Sequence, residues 1–376
     1  MIRADKLIRV AIDASPLLLR SAGVKTYVHH WTQSLASQAG PNQVRLFPLL
    51  HFGWRFTHER SVVGPLGTQS RLALLHAANL LPNVLDGLTS GCDIFHANHL
   101  LRAVPHKARL TTTLYDMTCW LMPGAHPPSV VRASGRIAEK LFRPAAAIIA
   151  ISESARTDAL RLLDLAPEKI HVIHPGVGAE YFTATHEHGR NVALRYGLAK
   201  PYFLYVGTVE PRKNLGTLLD AWKDLARDLR QTYDLVVGGA WGWGDNAILR
   251  RLEAGEGGVR YLGYVAESDL PDLTAGADAF VYPSFYEGFG LPLAQAMAAG
   301  VASITANLSS MPEVAGDAAL LVDPHSSSEL GAAMRQLMES ESLRRDLGDR
   351  GRIRAQRFTW EECARQSWRL FEKVAG

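Results

Sequence analysis

The stretch of this 376-residue chain whose residue types and spacing best suit chemistry is Glu287-Gly-Phe-Gly290. Two glycines let a backbone approach a ligand closely. Leu291 to Ala299, good helix formers closed by Gly300, would aim unpaired N–H groups and the positive end of a helix dipole at that loop. Such a geometry suits a phosphate. Pro292 fits a first helical turn, so the helix is predicted to begin near Leu291. Gly-x-Gly alone reads first as an ordinary strand-to-helix turn. Glu287 changes that reading, because a carboxylate at the mouth of an anion site is electrostatically unwelcome unless it binds something polar beyond the phosphate, such as sugar hydroxyls. Arg212-Lys213 is a second candidate, either an anion-binding corner between a strand end and a helix N-terminus or a surface pair. A third is Tyr115-Asp116 at the carboxyl end of a predicted strand, where open α/β sheets place ligands. Its alternative is a packing aromatic beside a helix cap.

The elements that must position these groups follow from short apolar runs. Leu7–Asp13 reads as a first parallel strand, apolar enough to be buried on both faces, and further strands are expected at Val44–Leu50, Asp93–His96, Arg109–Tyr115, Ala145–Ile151 and Lys169–His174. A second series is expected at Tyr202–Gly207, Asp234–Gly239 and Ala277–Tyr282. Ser21-Ala-Gly-Val-Lys-Thr-Tyr27 reads as a glycine turn entering a helix that runs to about Ser37, and a helix is expected near Leu72–Leu81. Ser152 or Ser154 would cap a helix running to about Leu163, and Asn214 would cap one over Leu215–Leu229. Between the two series, the polar, His-rich stretch 184–199 reads as an exposed linker. Arg132, Arg136, Lys140 and Arg143 recur on a helical period within 128–143, with Val130, Val131, Ile137, Leu141 and Phe142 between them. That pattern is either a solvated face over a core stripe or a surface for anionic lipid. The last helix, from Phe358, is amphipathic, with Thr359 as its cap.

Composition sets outer bounds. The length favours two domains, and a 47% hydrophobic content with mean hydropathy near zero describes a globular protein. No apolar run is long enough to span a bilayer, and Met1 to Arg9 lacks a signal-peptide core, so a soluble or peripheral cytoplasmic protein is expected. Three scattered cysteines show no metal spacing, and His96-Ala-Asn-His99 lacks the further ligands a metal would need. No metal and no cofactor are expected. A net charge of +3 gives no sign of nucleic-acid binding.

Glu-Gly-Phe-Gly-Leu-Pro292, followed by Ala-Met-Ala-Ala-Gly300, resembles the signature of retaining, nucleotide-sugar-dependent glycosyltransferases of the GT-B fold (glycosyltransferase group 1). The similarity is closest to the bacterial mannosyltransferase-like group. Gly207-Thr-Val-Glu-Pro-Arg-Lys-Asn214, Leu262-Gly-Tyr-Val265 and Met311-Pro-Glu-Val through Asp323-Pro324 fall in the family's order. The resemblance implies two Rossmann-like domains facing each other across a cleft. It puts the acceptor domain at 1–183, the linker at 184–199, the donor domain at 200–357 and, at 358–376, a terminal helix crossing back to the first domain. It implies that Glu287 and the amides of Gly288, Phe289 and Gly290, with Leu291, orient the sugar. Arg212 and Lys213 would stabilise a diphosphate leaving group, Tyr264 and Val265 would receive the nucleobase through backbone contacts, and Gly23 would approach the donor phosphates. Tyr115 and Asp116 would lie near the reacting carbon. Two positions depart from the pattern: Tyr115 stands where the family usually has a His, and Gln295 where a second acid binds the ribose. Glutamine keeps an acceptor and adds a donor but loses charge-assisted strength.

What the resemblance implies is transfer of a hexosyl group, mannose or a 6-deoxyhexose, from a nucleoside diphosphate sugar to a saccharide or lipid-linked acceptor in cell-surface polysaccharide synthesis. A GDP-sugar is favoured over a UDP-sugar. No Asp-x-Asp occurs in the chain, which argues against a metal-dependent sugar-nucleotide site of that type. Contact with the cytoplasmic face of the inner membrane would come through 128–143. Two other readings stay open: a non-catalytic sugar-nucleotide-binding subunit, and another GT-B enzyme such as a nucleotide-sugar epimerase or a phosphorylase, the last requiring a cofactor lysine.

Overall fold

The computed structural model describes residues 7–20, 23–40, 42–54, 56–58, 60–98, 101, 103–244 and 246–376. Ser21 and Ala22 of the predicted turn, and His99, lie outside them. The chain divides into two compact units, Met1–Gly176 with Trp360–Gly376, and Val177–Thr359.

The first unit is built on β1 (Arg9–Asp13), β2 (Gln43–Phe47), β3 (Ile94–Ala97), β4 (Arg109–Leu114), β5 (Ala147–Ala150) and β6 (Ile170–Val172), all parallel, in the order β2-β1-β3-β4-β5-β6. Interior runs such as Ala-Ile-Ile-Ala in β5 are buried along their whole length, as strands covered on both faces must be. β2 stops at Phe47, short of the predicted Leu50, because Pro48 has no N–H to continue a ladder. Helix Gly23–Ser37 packs on the terminal helix Trp360–Ala375: the Trp31 indole donates to Ser367 Oγ at 2.9 Å and the Trp368 indole to the Leu35 carbonyl at 3.1 Å. Ser152 caps the helix Glu153–Leu163, accepting from the Ala155 N–H.

The second unit holds β7 (Tyr202–Val206), β8 (Asp234–Gly238), β9 (Arg260–Gly263), β10 (Ala279–Tyr282), β11 (Ser303–Ala306) and β12 (Ala319–Val322), again all parallel, in the order β12-β11-β10-β7-β8-β9. β7 therefore has β8 on one side and β10 on the other. In such a sheet the order reverses between β7 and β10, and the space outside their carboxyl ends is where ligands bind.

Three expectations are corrected here. The stretch 184–199 is not a linker: it carries the helix His186–Arg195 inside the second unit. Gly189 lets this helix touch the one at Leu270–Ala275, since a Cβ there would lie 2.3 Å from the Asp272 carbonyl oxygen and the Gly276 nitrogen. The helix predicted over 215–229 breaks into Leu215–Lys223 and Arg227–Thr232, with Leu225 turned into the core between them. Asn214 does not cap the first of these. It adopts a left-handed backbone (φ 59°), and its side-chain amide donates to the carbonyls of Pro283 (3.0 Å) and Pro324 (2.6 Å).

Candidate active site

Two loops leave the carboxyl ends of β7 and β10 and are stitched together. After β7 the chain passes Glu210 into a tight turn, Pro211–Lys213. Pro211 presets the first φ of that turn, and Asn214 tolerates the left-handed backbone that closes it. After β10 comes Pro283 to Gly290, then the helix Leu291–Ala298, which starts where the sequence predicts. Besides the Asn214 amide, the Phe285 N–H donates to the Arg212 carbonyl at 2.9 Å. Gly290 sits at φ 93°, a backbone that selects glycine, and the flexible end of the Met311 side chain lies over it, with Cε 2.1 Å from where a Cβ would sit.

The side chains of these loops converge on Glu287. Its Oε2 lies 2.7 Å from Arg212 Nη1, and its Oε1 2.6 Å from Lys213 Nζ. Lys213 also reaches the Tyr282 hydroxyl at 2.6 Å, and that hydroxyl donates to Glu287 Oε1 at 2.9 Å. Glu210 Oε1 is 2.7 Å from Arg212 Nε. All four charged side chains are largely covered, Glu287 at 8% exposure and Lys213 at 9%. Burial of Glu287 pushes its carboxyl pKa up, but Arg212 and Lys213 outweigh burial and hold it down at about 2. Burial, then the Arg212 charge, lowers Lys213, with Glu287 and Glu210 acting against them. Two carboxylates and two cations make the cluster neutral as it stands. Its cations are occupied by internal partners, an arrangement that an incoming polyanion would have to rearrange.

Around this cluster, Gly288, Phe289 and Gly290 are buried, with Phe289 edge-on to Phe358 at 5.2 Å. Leu291 is half-buried at the first helical position. Gln295, one turn on, is half-buried, and its side-chain amide has no hydrogen bond among the described residues. Tyr264 and Val265 follow β9, two strands away from β7 in the sheet. Tyr264 is exposed, its hydroxyl donating to Glu267 at 2.5 Å, while Val265 is buried over Gly238.

The remaining candidates belong to the first unit. Tyr115 is buried; its hydroxyl donates to Asn98 Oδ1 at 2.7 Å, and the Asn98 N–H donates to Asp13 Oδ2 at 3.2 Å. Burial pushes the pKa of both the Tyr115 phenol and the Asp13 carboxyl up. Asp116 is half-buried, and its Oδ1 accepts from the Thr118 N–H (3.0 Å) and hydroxyl (2.7 Å), an Asx-type turn just ahead of the short helix Thr118–Leu121, whose N-cap position is Met117. Gly23 begins its helix in an exposed position with open space where a Cβ would sit, so no packing contact among the described residues requires glycine there. His96 is fully buried, both ring nitrogens lie 2.9 Å from the hydroxyls of Thr111 and Thr113, and burial lowers its pKa to about 3. A neutral imidazole with both nitrogens engaged has no lone pair left for a metal. Among the described residues no group of three or more His, Cys, Asp or Glu could hold a metal ion.

Sequence reasoning missed Tyr282, Glu210 and Ser309 as parts of this cluster. Tyr282 reads as the last residue of a buried strand. Ser309, whose hydroxyl touches the Glu287 backbone, is brought there from twenty-two residues further along the chain by the parallel pairing of β10 with β11.

Two family models match the chain: "Glycosyl transferases group 1" over residues 195–354, and "Glycosyltransferase Family 4" over 21–181. The chain is 37% identical over 268 residues to the O-antigen chain mannosyltransferase B of Escherichia coli, a match covering 70% of each chain. It is 30% identical over 231 residues to a serotype-specific mannosyltransferase, WbdA, of the same organism, covering 59% of this chain but only 28% of that one. The solved structure of sucrose-phosphate synthase from Thermosynechococcus elongatus superposes with a TM-score of 0.75 at 21% identity, over 98% of this chain and 99% of that one.

Proposed function

We propose that this chain, which belongs to the group 1 glycosyl transferases and has their α/β GT-B fold of two parallel six-stranded sheets, moves a mannosyl or 6-deoxyhexosyl group from a GDP-sugar to a saccharide or lipid-linked hydroxyl in O-antigen-type polysaccharide synthesis. The names of the two E. coli relatives support the sugar. The observation that carries the chemistry is the Arg212–Lys213–Glu287 cluster at the strand-order reversal between β7 and β10, facing the N-terminus of the helix Leu291–Ala298.

In this reading the donor diphosphate draws Arg212 and Lys213 away from Glu287. The freed carboxylate accepts from sugar hydroxyls while the amides of Gly288 to Gly290 line the sugar's other side. Tyr264 and Val265 receive the base, and Gln295 the ribose. As the bond between the anomeric carbon and the phosphate oxygen breaks, its electron pair passes to the diphosphate, whose charge Arg212 and Lys213 neutralise, so the step needs no metal. The acceptor oxygen attacks from the face the diphosphate leaves, and a departing phosphate oxygen takes the hydroxyl proton, which retains the configuration. Glu287 is no nucleophile here, because its charge is committed to the two cations and then to the sugar. In this reading Gly23 approaches the donor phosphates and Tyr115 and Asp116 lie near the reacting carbon, with Asp116 better placed to receive a hydrogen bond than the buried Tyr115.

Calorimetry with GDP, UDP, GDP-mannose and UDP-glucose in the presence of a chelator tests the reading. GDP and GDP-mannose are expected to bind at roughly micromolar Kd, with the uridine compounds at least tenfold weaker. Transfer from GDP-mannose to a mannose-terminated oligosaccharide should give an α-linked product by NMR. If none of the four binds, the reading fails.

The helix Pro128–Ile137, extended by a wider turn to Phe142, has no buried residue in its first ten. Val130 is 43% exposed, Val131 and Ile137 are half-buried, and Arg132, Arg136, Lys140 and Arg143 are exposed. No helix among the described residues is long and apolar enough to cross a membrane. We assign to this face a contact with acidic lipid on the cytoplasmic side of the membrane. Phosphatidylglycerol vesicles should sediment the protein and phosphatidylcholine vesicles should not, and Arg132→Glu with Arg136→Glu should abolish the difference. Equal sedimentation with both lipids would remove the assignment.

A further inference from the structure

Ser309 has a backbone that its residue type does not favour. Its φ of 58° lies in the left-handed region, which a residue with a Cβ enters only at an energetic cost. Glycine would supply the same turn without that cost, so the side chain is the feature to explain. The Ser309 hydroxyl accepts from the Glu287 N–H at 3.1 Å and donates to the Glu287 carbonyl at 2.6 Å. Ser310, fully buried, donates to the same carbonyl at 2.9 Å. Met311 then lies over Gly290, at the far end of the same loop. Ser309 and Ser310 therefore hold the Glu287 end of the loop by its backbone, and the Met311 side chain covers the Gly290 end, independently of the ion pairs that hold the carboxylate. That independence matters if the carboxylate changes partners, for it must do so without the loop moving.

We propose that Ser309 and Ser310 are positioning residues whose hydroxyls clamp the Glu287 backbone, so that the carboxylate can leave Arg212 and Lys213 for the donor sugar while the amides of Gly288 to Gly290 stay in place. This rests on the glycosyltransferase reading above. The clamp is invisible to the nucleotide alone and acts on the sugar end of the donor, which separates it from a general support of the fold.

Ser309→Gly tests it well, because glycine accepts the backbone angle without strain and carries no hydroxyl. With GDP-mannose as donor and a mannose-terminated oligosaccharide as acceptor, kcat is expected to fall about tenfold, as misplacement of a positioned group does. The Kd for GDP should stay within about twofold and the thermal midpoint should not fall. Adding Ser310→Ala should bring the loss in kcat to about a hundredfold. Against Ser310→Ala alone, Ser310→Thr, which keeps the hydroxyl, should recover kcat. Amide exchange at Glu287 should quicken in Ser309→Gly and not in Ser310→Ala, since only Ser309 accepts from that N–H. The inference is overturned if Ser309→Gly turns over like wild type, or if kcat, GDP affinity and thermal midpoint fall together. A wild-type protein that neither binds GDP nor consumes GDP-mannose would instead overturn the functional reading, and the inference with it.

Discussion

Lys213→Ala should lose at least tenfold in affinity for a nucleoside diphosphate and about a hundred- to a thousandfold in kcat/KM for the matching sugar nucleotide, measured by calorimetry and initial rates. The physical reason is the place of the ammonium. It is buried, it stands beside Arg212 at the carboxyl end of β7, and its partners are one carboxylate oxygen and one phenol. A cation in that setting interacts with a diphosphate far more strongly than a surface lysine does, because little water screens the pair. It also acts most where charge develops as the sugar–phosphate bond breaks, so turnover should suffer more than ground-state binding. Alanine leaves Glu287 with Arg212 and Tyr282 and opens a small void, so some loss of stability is expected as well. Lys213→Met, which fills the space without the charge, separates the two effects. If it binds GDP as wild type does, the phosphate lies elsewhere and Arg212 and Lys213 serve only as structural ion-pair partners of Glu287.

The elements that carry this cluster were legible because their signals are local. β10, the Glu287-Gly-Phe-Gly290 loop and a helix starting at Leu291 are contiguous, and apolar run, glycine pair and Pro292 each mark a boundary in place. The same holds for β7 and the Pro211 turn. What could not be read is the pairing among them. That Glu287 neutralises both Arg212 and Lys213 depends on β7 and β10 being neighbours, paired seventy-six residues apart in sequence, and an anion-binding corner of free cations is the natural reading without that contact. The 184–199 stretch reads as a linker because a short helix with one narrow buried face and Gly189 at a close contact has the composition of a loop. Asn214 has the right chemistry for a cap but spends its amide on the Pro283 and Pro324 carbonyls, a choice made by tertiary contacts. In the first unit, the strand end beside Asp116 gives no sign of where the Tyr115 side chain turns. Its hydroxyl is turned inward to Asn98, on a different strand's loop.

Glu287→Gln should separate binding from turnover in a way no other substitution here does. In the wild type, a diphosphate reaching Arg212 and Lys213 must displace a carboxylate that already holds them at 2.7 and 2.6 Å. Glutamine has the same shape but no charge, so the cluster goes from neutral to a net charge of one positive, and the competing anion is gone. GDP should therefore bind several-fold tighter to the variant than to wild type, whereas sugar transfer should fall about a hundredfold or more, since the carboxylate that accepts from the sugar hydroxyls is missing. A variant that loses GDP affinity together with turnover would show that Glu287 organises the cations for the phosphate rather than competing with it. The pH dependence of folding carries the same information with a defined sign. The Glu287 carboxyl is depressed to about 2 in the folded protein from an ordinary 4.5. Its contribution to stability is thus complete above about pH 4.5 and is lost as pH falls through 2, because the unfolded chain takes up that proton first. Wild-type unfolding free energy should decline across that window, and Glu287→Gln, with no carboxyl to protonate there, should decline less steeply. Equal slopes would mean that Glu287 is not held ionised by Arg212 and Lys213, and the charge balance on which both the binding and the transfer predictions rest would have to be redrawn.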